Sequence, residues 1–135
     1  VPALAQRREV SEDGLSFTFK LRQGVKFHNG EDFTAESVVA TWETGKDPKN
    51  DYADIYARVA SVEVVDDYTV TMTNATTNPV FLTEIASDWA MVPPAYIREV
   101  GIDEFANNPV GTGPFKFVER VSGDRIVMEA NPDYW

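Results

Sequence analysis

Between Leu15 and Leu21 the chain alternates strictly, with Leu15, Phe17, Phe19 and Leu21 apolar and Ser16, Thr18 and Lys20 polar. Successive side chains of a strand point to opposite faces, so this spacing collects all four apolar residues on one side. A helix would scatter them around its circumference. The stretch therefore predicts a half-buried strand, delivered by the turn Ser11-Glu12-Asp13-Gly14. Val25-Lys26-Phe27 forms a second short extended piece, closed by the turn signal His28-Asn29-Gly30. Thr34 then reads as a helix N-cap, with Val38, Val39 and Trp42 on one helical face and a stop near Gly45.

The same reading gives helical potential from Tyr52 to Ala60, through Ile55, Tyr56 and Val59. A hairpin is expected next, Val62–Val65 and Tyr68–Thr73 joined at Asp66-Asp67, because both runs are rich in strand formers. Asn78-Pro79 favours a helix start, with Phe81, Leu82 and Ile85 as its buried stripe and an end near Ser87. After the apolar run Trp89–Val92, Pro93-Pro94 interrupts, and Ala95–Val100 and Ile102–Phe105 supply one or two short helices. A last hairpin, Phe115–Val118 and Arg125–Glu129, flanks the turn Ser122-Gly123-Asp124. Strands and helices mixed in this order define an α+β class, without internal repeats or heptads.

Composition narrows the partners. The chain has 135 residues, 43% hydrophobic and 25% charged, which is enough for one core burying roughly two-thirds of its unfolded surface. Its net charge of −10 repels phosphate backbones and anionic headgroups, so nucleic acid and membrane surfaces are not expected partners. No apolar run approaches the ~20 residues needed to cross a bilayer. Without Cys there are no disulfides, thiolate metal sites or cysteine nucleophiles. The opening Val1-Pro2 and the polar stretch Gln6–Glu9 are expected to be an internal cut, as is the far end at Trp135.

Motifs that would carry chemistry reduce to turns and surfaces. His28 is the single histidine and sits in a turn, so neither a metal site nor a catalytic centre is expected. Asp47, Asp51 and Asp54 lack the spacing of a calcium loop and read as a solvated face. Gly111-Thr112-Gly113-Pro114 has no following Lys-Ser/Thr, and Pro114 lacks an N–H, which makes it a tight turn into a strand rather than a phosphate cradle. Asn74-Ala75-Thr76 fits a glycosylation sequon, a short pattern of high chance frequency. Among the aromatics, Phe17, Phe19, Phe115, Phe117 and Trp42 follow strand or helix periods and belong to the core. Tyr52, Tyr56 and Trp89 occupy less regular positions and are the candidates for a ligand-facing surface.

Longer stretches then carry a resemblance. Ser11–Gly30, including Phe17-Thr18-Phe19-Lys20-Leu21-Arg22-Gln23-Gly24-Val25-Lys26-Phe27-His28-Asn29-Gly30, with Phe33–Val39 after it, resembles the signature of solute-binding proteins of bacterial ABC importers for peptides, nickel and related solutes. Asn108-Pro109-Val110-Gly111-Thr112-Gly113-Pro114-Phe115, Gly123–Val127 and Asn131-Pro132-Asp133-Tyr134-Trp135 are similar to motifs of the same family in the same order. The resemblance covers essentially the whole chain, yet family members are several times longer.

What it implies is a fragment of a two-lobed, type II periplasmic-binding-protein-like fold. Residues 1–107 would be a small α+β subdomain and 108–135 a strand hairpin belonging to the first lobe, with the second lobe missing. The implied function is capture of a small-molecule solute, such as a peptide, for an ABC permease, in the periplasm or on a lipoprotein at the cell surface. No reaction and no cofactor are implied. Tyr52 matches a position where some members turn an aromatic toward the ligand; Trp89 is similarly placed at the cleft edge, with Asp88 as its polar neighbour and Tyr56 as a further candidate. The alternatives are a self-contained protein-interaction module and a small hydrolase, the latter disfavoured because no spacing establishes a pair of acids. Alone, the fragment is expected to fold and self-associate rather than hold solute.

Overall fold

The structure, a computed structural model, describes residues 3–135. Six strands and four helices follow in the order β1 (Ala5–Val10), β2 (Ser16–Leu21), α1 (Ala35–Gly45), α2 (Ala53–Ala57), β3 (Val59–Asp66), β4 (Thr69–Asn74), α3 (Phe81–Asp88), α4 (Pro94–Asn107), β5 (Phe115–Val121) and β6 (Arg125–Ala130). The first four strands form an antiparallel sheet in the order β1-β2-β4-β3. Among the described residues, β5 and β6 pair only with each other.

The alternation of β2 places Phe17, Phe19 and Leu21 beside Val70 and Met72 of β4 on the covered face, all buried. The opposite face carries a ladder of hydroxyls. Ser16 Oγ lies 3.0 Å from Thr73 Oγ1, Thr18 Oγ1 lies 2.9 Å from Thr71 Oγ1, and Lys20 Nζ donates to Thr69 Oγ1 at 2.7 Å. Cross-strand pairs of this kind hold register as well as satisfying polar groups. α1 packs over β3 and β4, and Phe81 of α3 lies against Phe17 with ring centroids 4.7 Å apart.

Local signals behave largely as their chemistry requires. Thr34 caps α1 and its amide donates to Ser37 Oγ at 3.2 Å. Gly101, at φ 76°, interrupts α4, so of the one or two short helices expected there the structure has two, meeting at a glycine kink. Several details differ from the sequence expectation, among them these: Val25-Lys26-Phe27 gives only an isolated bridge from Lys26 to Asp32, and β3 begins at Val59 rather than Val62. β1 was not foreseen, because Ala5–Val10 is an exposed edge strand with no apolar period. The helix expected to reach Ala60 ends at Ala57, because the β-branched Val59 is taken into β3. α3 begins at Phe81 rather than at Asn78-Pro79, with Val80 as its N-cap.

The segments beyond the sheet are fastened by polar contacts. Glu31, from the turn after His28, accepts the backbone N–H of Ala95 (2.9 Å) and Tyr96 (3.1 Å), so a carboxylate from a distant turn caps α4. Buried Thr41 donates to Ser37 O at 2.7 Å and accepts the N–H of Val92 at 3.0 Å, which anchors the run after α3 onto α1. Asn74 is only 3% exposed, so the sequon it heads is not open to modification in the folded chain.

Candidate functional site

The segment between α1 and α2 is organised by one asparagine. Asn50 Nδ2 donates to Gly45 O at 2.8 Å, and Asn50 Oδ1 accepts the N–H of Tyr52 at 3.0 Å. Side chains of this type close local turns through their own backbone neighbours. The result presents Tyr52 at the start of α2 with 58% of its surface exposed.

One helical turn further on, Tyr56 points inward. Its ring stacks on Trp89 with centroids 4.6 Å apart and planes 21° from parallel, and its hydroxyl donates to Asp88 O at 2.8 Å. Burial pushes the Tyr56 phenol up from its ordinary pKa, and the nearby Asp88 carboxylate acts in the same direction. Trp42 Nε1 donates to Tyr56 O at 3.2 Å, which ties α1 to α2. Lys46 Nζ lies 3.3 Å from the Trp42 ring centroid, covering its outer side.

The four sequence candidates thus divide. Tyr56, Asp88 and Trp89 come together, and Tyr52 stands apart from their stack as an exposed ring. The two tryptophans differ from expectation in burial: Trp89, expected at a surface, is 6% exposed and belongs to the main core, whereas Trp42, expected in the core, is partly buried and packs against it. The physical reason is that Trp89 follows the last residue of α3 with φ −94° and ψ 79°, so the helix period no longer sets its direction. Stacking on Tyr56 sets it instead. Tyr56 is likewise buried, at 5% exposure. Trp89 Nε1 has no partner among the described residues.

What the group offers is contact area and hydrogen bonding, through the Tyr52 phenol and the partly exposed Asp88. Among the described residues no group of three or more His, Cys, Asp or Glu could hold a metal ion. A cavity of ≈470 Å³ borders Trp89 between the sheet and α3, lined by residues including Phe19, Leu21, Leu82, Ile85 and Met91. Its walls are chiefly aliphatic and aromatic, with Gln6, Arg7 and Arg8 of β1 also in the lining. Sequence reasoning missed Asn50, and it read Gly45 only as a helix stop, without its close approach to Tyr56. The Asn two residues before Tyr52 was the available signal.

A four-stranded antiparallel sheet, helices on one face and a separate hairpin together make a piece of a type II periplasmic-binding-protein fold, and solved structures match it closely. The nickel-histidine complex of NikZ from Campylobacter jejuni superposes with a TM-score of 0.89 at 31% identity, covering 99% of this chain and 28% of that one. The nonapeptide complex of AppA from Bacillus subtilis gives 0.85 at 32% identity, covering 98% and 28%. The chain belongs to the bacterial extracellular solute-binding proteins, family 5, whose middle-region model matches residues 1–135. Curated relatives include heme-binding protein A of Haemophilus influenzae, 34% identical over 99% of this chain and 29% of its own length. Glutathione-binding protein GsiB of Pectobacterium atrosepticum is 35% identical over 100% of this chain and 27% of its own. The chain therefore spans under a third of the relatives it matches.

Proposed function

We propose that this chain supplies one wall of an extracytoplasmic solute site, in a polypeptide that captures a small solute and delivers it to an ABC permease. The observation that carries this reading is the exposed Tyr52, held in place by Asn50 on a firmly packed α+β unit of a family-5 solute-binding protein. An aromatic side chain has few rotors, so it gives contact area at little cost in conformational entropy. In this account Tyr52 and Asp88 face the solute, and the buried Tyr56–Trp89 stack steadies Asp88 through the hydrogen bond from the Tyr56 hydroxyl to the Asp88 carbonyl.

Residues 1–107 act as the small α+β unit and 108–135 as a hairpin that docks into the first lobe. Phe115, Val118, Ile126 and Met128 support that division, since each is at least half exposed on a hairpin with no other sheet to cover it. The relatives' names span heme, glutathione, oligopeptides and nickel-histidine, so the solute is of that broad organic or chelated class. Localisation follows the family: the periplasm, or a lipoprotein at the cell surface.

One wall leaves most of a solute's surface in water, and its few hydrogen bonds contribute only ~0.5–1.5 kcal/mol each against the entropy of capture. Calorimetry compares this chain with the longer polypeptide that carries it, using a panel of short peptides, glutathione, heme and nickel-histidine. Binding by the longer polypeptide alone is the expected result. Equal affinity in both would place the complete site within these residues, and binding by neither would remove the solute reading for this panel.

A further inference from the structure

The sheet of the α+β unit and the β5–β6 hairpin share no strand pairing, so their relative placement rests on the loops between them. One side chain makes two hydrogen bonds across that junction. His28 Nε2 lies 2.9 Å from Gly113 O, and the N–H of Gly111 points at His28 Nδ1 at 3.3 Å. The His28 backbone N–H also donates to Gly111 O at 2.9 Å. Gly113 O is at the same time an acceptor for Asn131 Nδ2 at 3.1 Å, beyond β6, so the turn that His28 grips is also gripped by the far end of the hairpin. Trp135 Nε1 donates to Thr112 O at 3.1 Å, and the Arg22 guanidinium lies 4.7 Å from the Trp135 ring centroid.

The partners fix the imidazole's chemistry. A carbonyl oxygen cannot donate, so Nε2 must carry the proton; an amide N–H cannot accept, so Nδ1 must be bare. A neutral imidazole satisfies both contacts in only one tautomer, and neither phenylalanine nor lysine offers that acceptor and donor pair. A side chain doing no more than closing its own turn would have no need of two partners more than eighty residues away.

We propose that His28 is a clasp, a positioning residue that as its Nε2–H tautomer fastens the Gly111–Gly113 turn, and with it the β5–β6 hairpin, to the α+β unit. The two parts then move as one body. The proposal stands independently of which solute is bound and of whether Tyr52 touches it.

Because His28 is the single histidine of the chain, its ring nitrogens are assigned without ambiguity by long-range nitrogen–carbon NMR correlations. At neutral pH the expected spectrum is a bare Nδ1 and a protonated Nε2. The opposite tautomer, or an averaged mixture of the two, overturns the proposal even if no variant folds. Residual dipolar couplings supply the second readout. In the unmutated chain, amides of β2, β4, β5 and β6 should fit one alignment tensor. In His28→Phe the β2 and β4 amides should keep their mutual fit, while those of β5 and β6 should depart from it. His28→Gln, which retains a donor for Gly113 O, should restore part of the common fit. A single tensor in His28→Phe would show that the hairpin is held without the clasp.

Discussion

A Cβ built on Gly45 would lie 2.1 Å from Cδ1 of Tyr56 and within 2.4 Å of two further ring carbons. Gly45 closes α1 and Tyr56 is the buried residue of α2, so the missing side chain is what lets the second helix press onto the first. Alanine in a helix normally stabilises relative to glycine by about 0.5–1 kcal/mol. Here overpacking should exceed that gain, leaving Gly45→Ala less stable by about 1–3 kcal/mol in urea titrations. Combining it with Tyr56→Ala should remove the clash, so the double variant should lose less than the two single losses added. Additive losses would mean that the ring is not the obstacle.

Trp89→Ala removes a buried ring from a stacked pair and should cost about 3–5 kcal/mol. Trp42→Ala should cost less, because the ring is partly exposed, with Lys46 over it. Thermal unfolding of the two variants decides the order. A larger loss for Trp42→Ala would reassign the core.

That order could not be obtained from the alternation and periodicity of the sequence, and the reason is local. β2 and β4 were legible because one face is buried and the other carries the Ser16–Thr73 and Thr18–Thr71 ladder, which writes the period into the residues themselves. β1 left no such trace, since all but one of its residues are exposed. Trp89 was misplaced because it sits past the end of α3, where the stack on Tyr56 governs its direction. Tyr52 was legible as an aromatic outside any period, but its Asn50 support needed the fold. Gly45 was legible as a helix stop, and its contact with Tyr56 was not.

Stability should fall at alkaline pH through Tyr56. Its folded pKa lies above the ordinary tyrosine value near 10, chiefly from burial with Asp88 adding to it, so the native state holds the proton more tightly than the unfolded chain. That contribution is complete below the unfolded pKa and is lost as pH rises from there through the folded value. Melting temperatures from pH 8 to about pH 11 should therefore drop more steeply in the parent than in Tyr56→Phe. Parallel curves would remove Tyr56 as the cause.

Glu31→Ala should release the N-terminus of α4. Two backbone N–H groups lose their carboxylate, a change comparable to deleting an N-cap and costing about 0.5–2 kcal/mol. Hydrogen exchange should quicken at Ala95 and Tyr96 while β2 and β4 retain their protection. Unchanged exchange at both amides would contradict the cap.

The central claim is that Tyr52 forms part of a wall against solute, and it is tested most directly by calorimetric titration of Tyr52→Ala in the longer polypeptide, with whichever solute of the panel that polypeptide binds. An exposed ring can be removed with little effect on folding, so the melting temperature should stay within a few degrees of the parent. The account predicts at least a tenfold loss of affinity, with Tyr52→Phe closer to the parent. Unchanged affinity in Tyr52→Ala would contradict it.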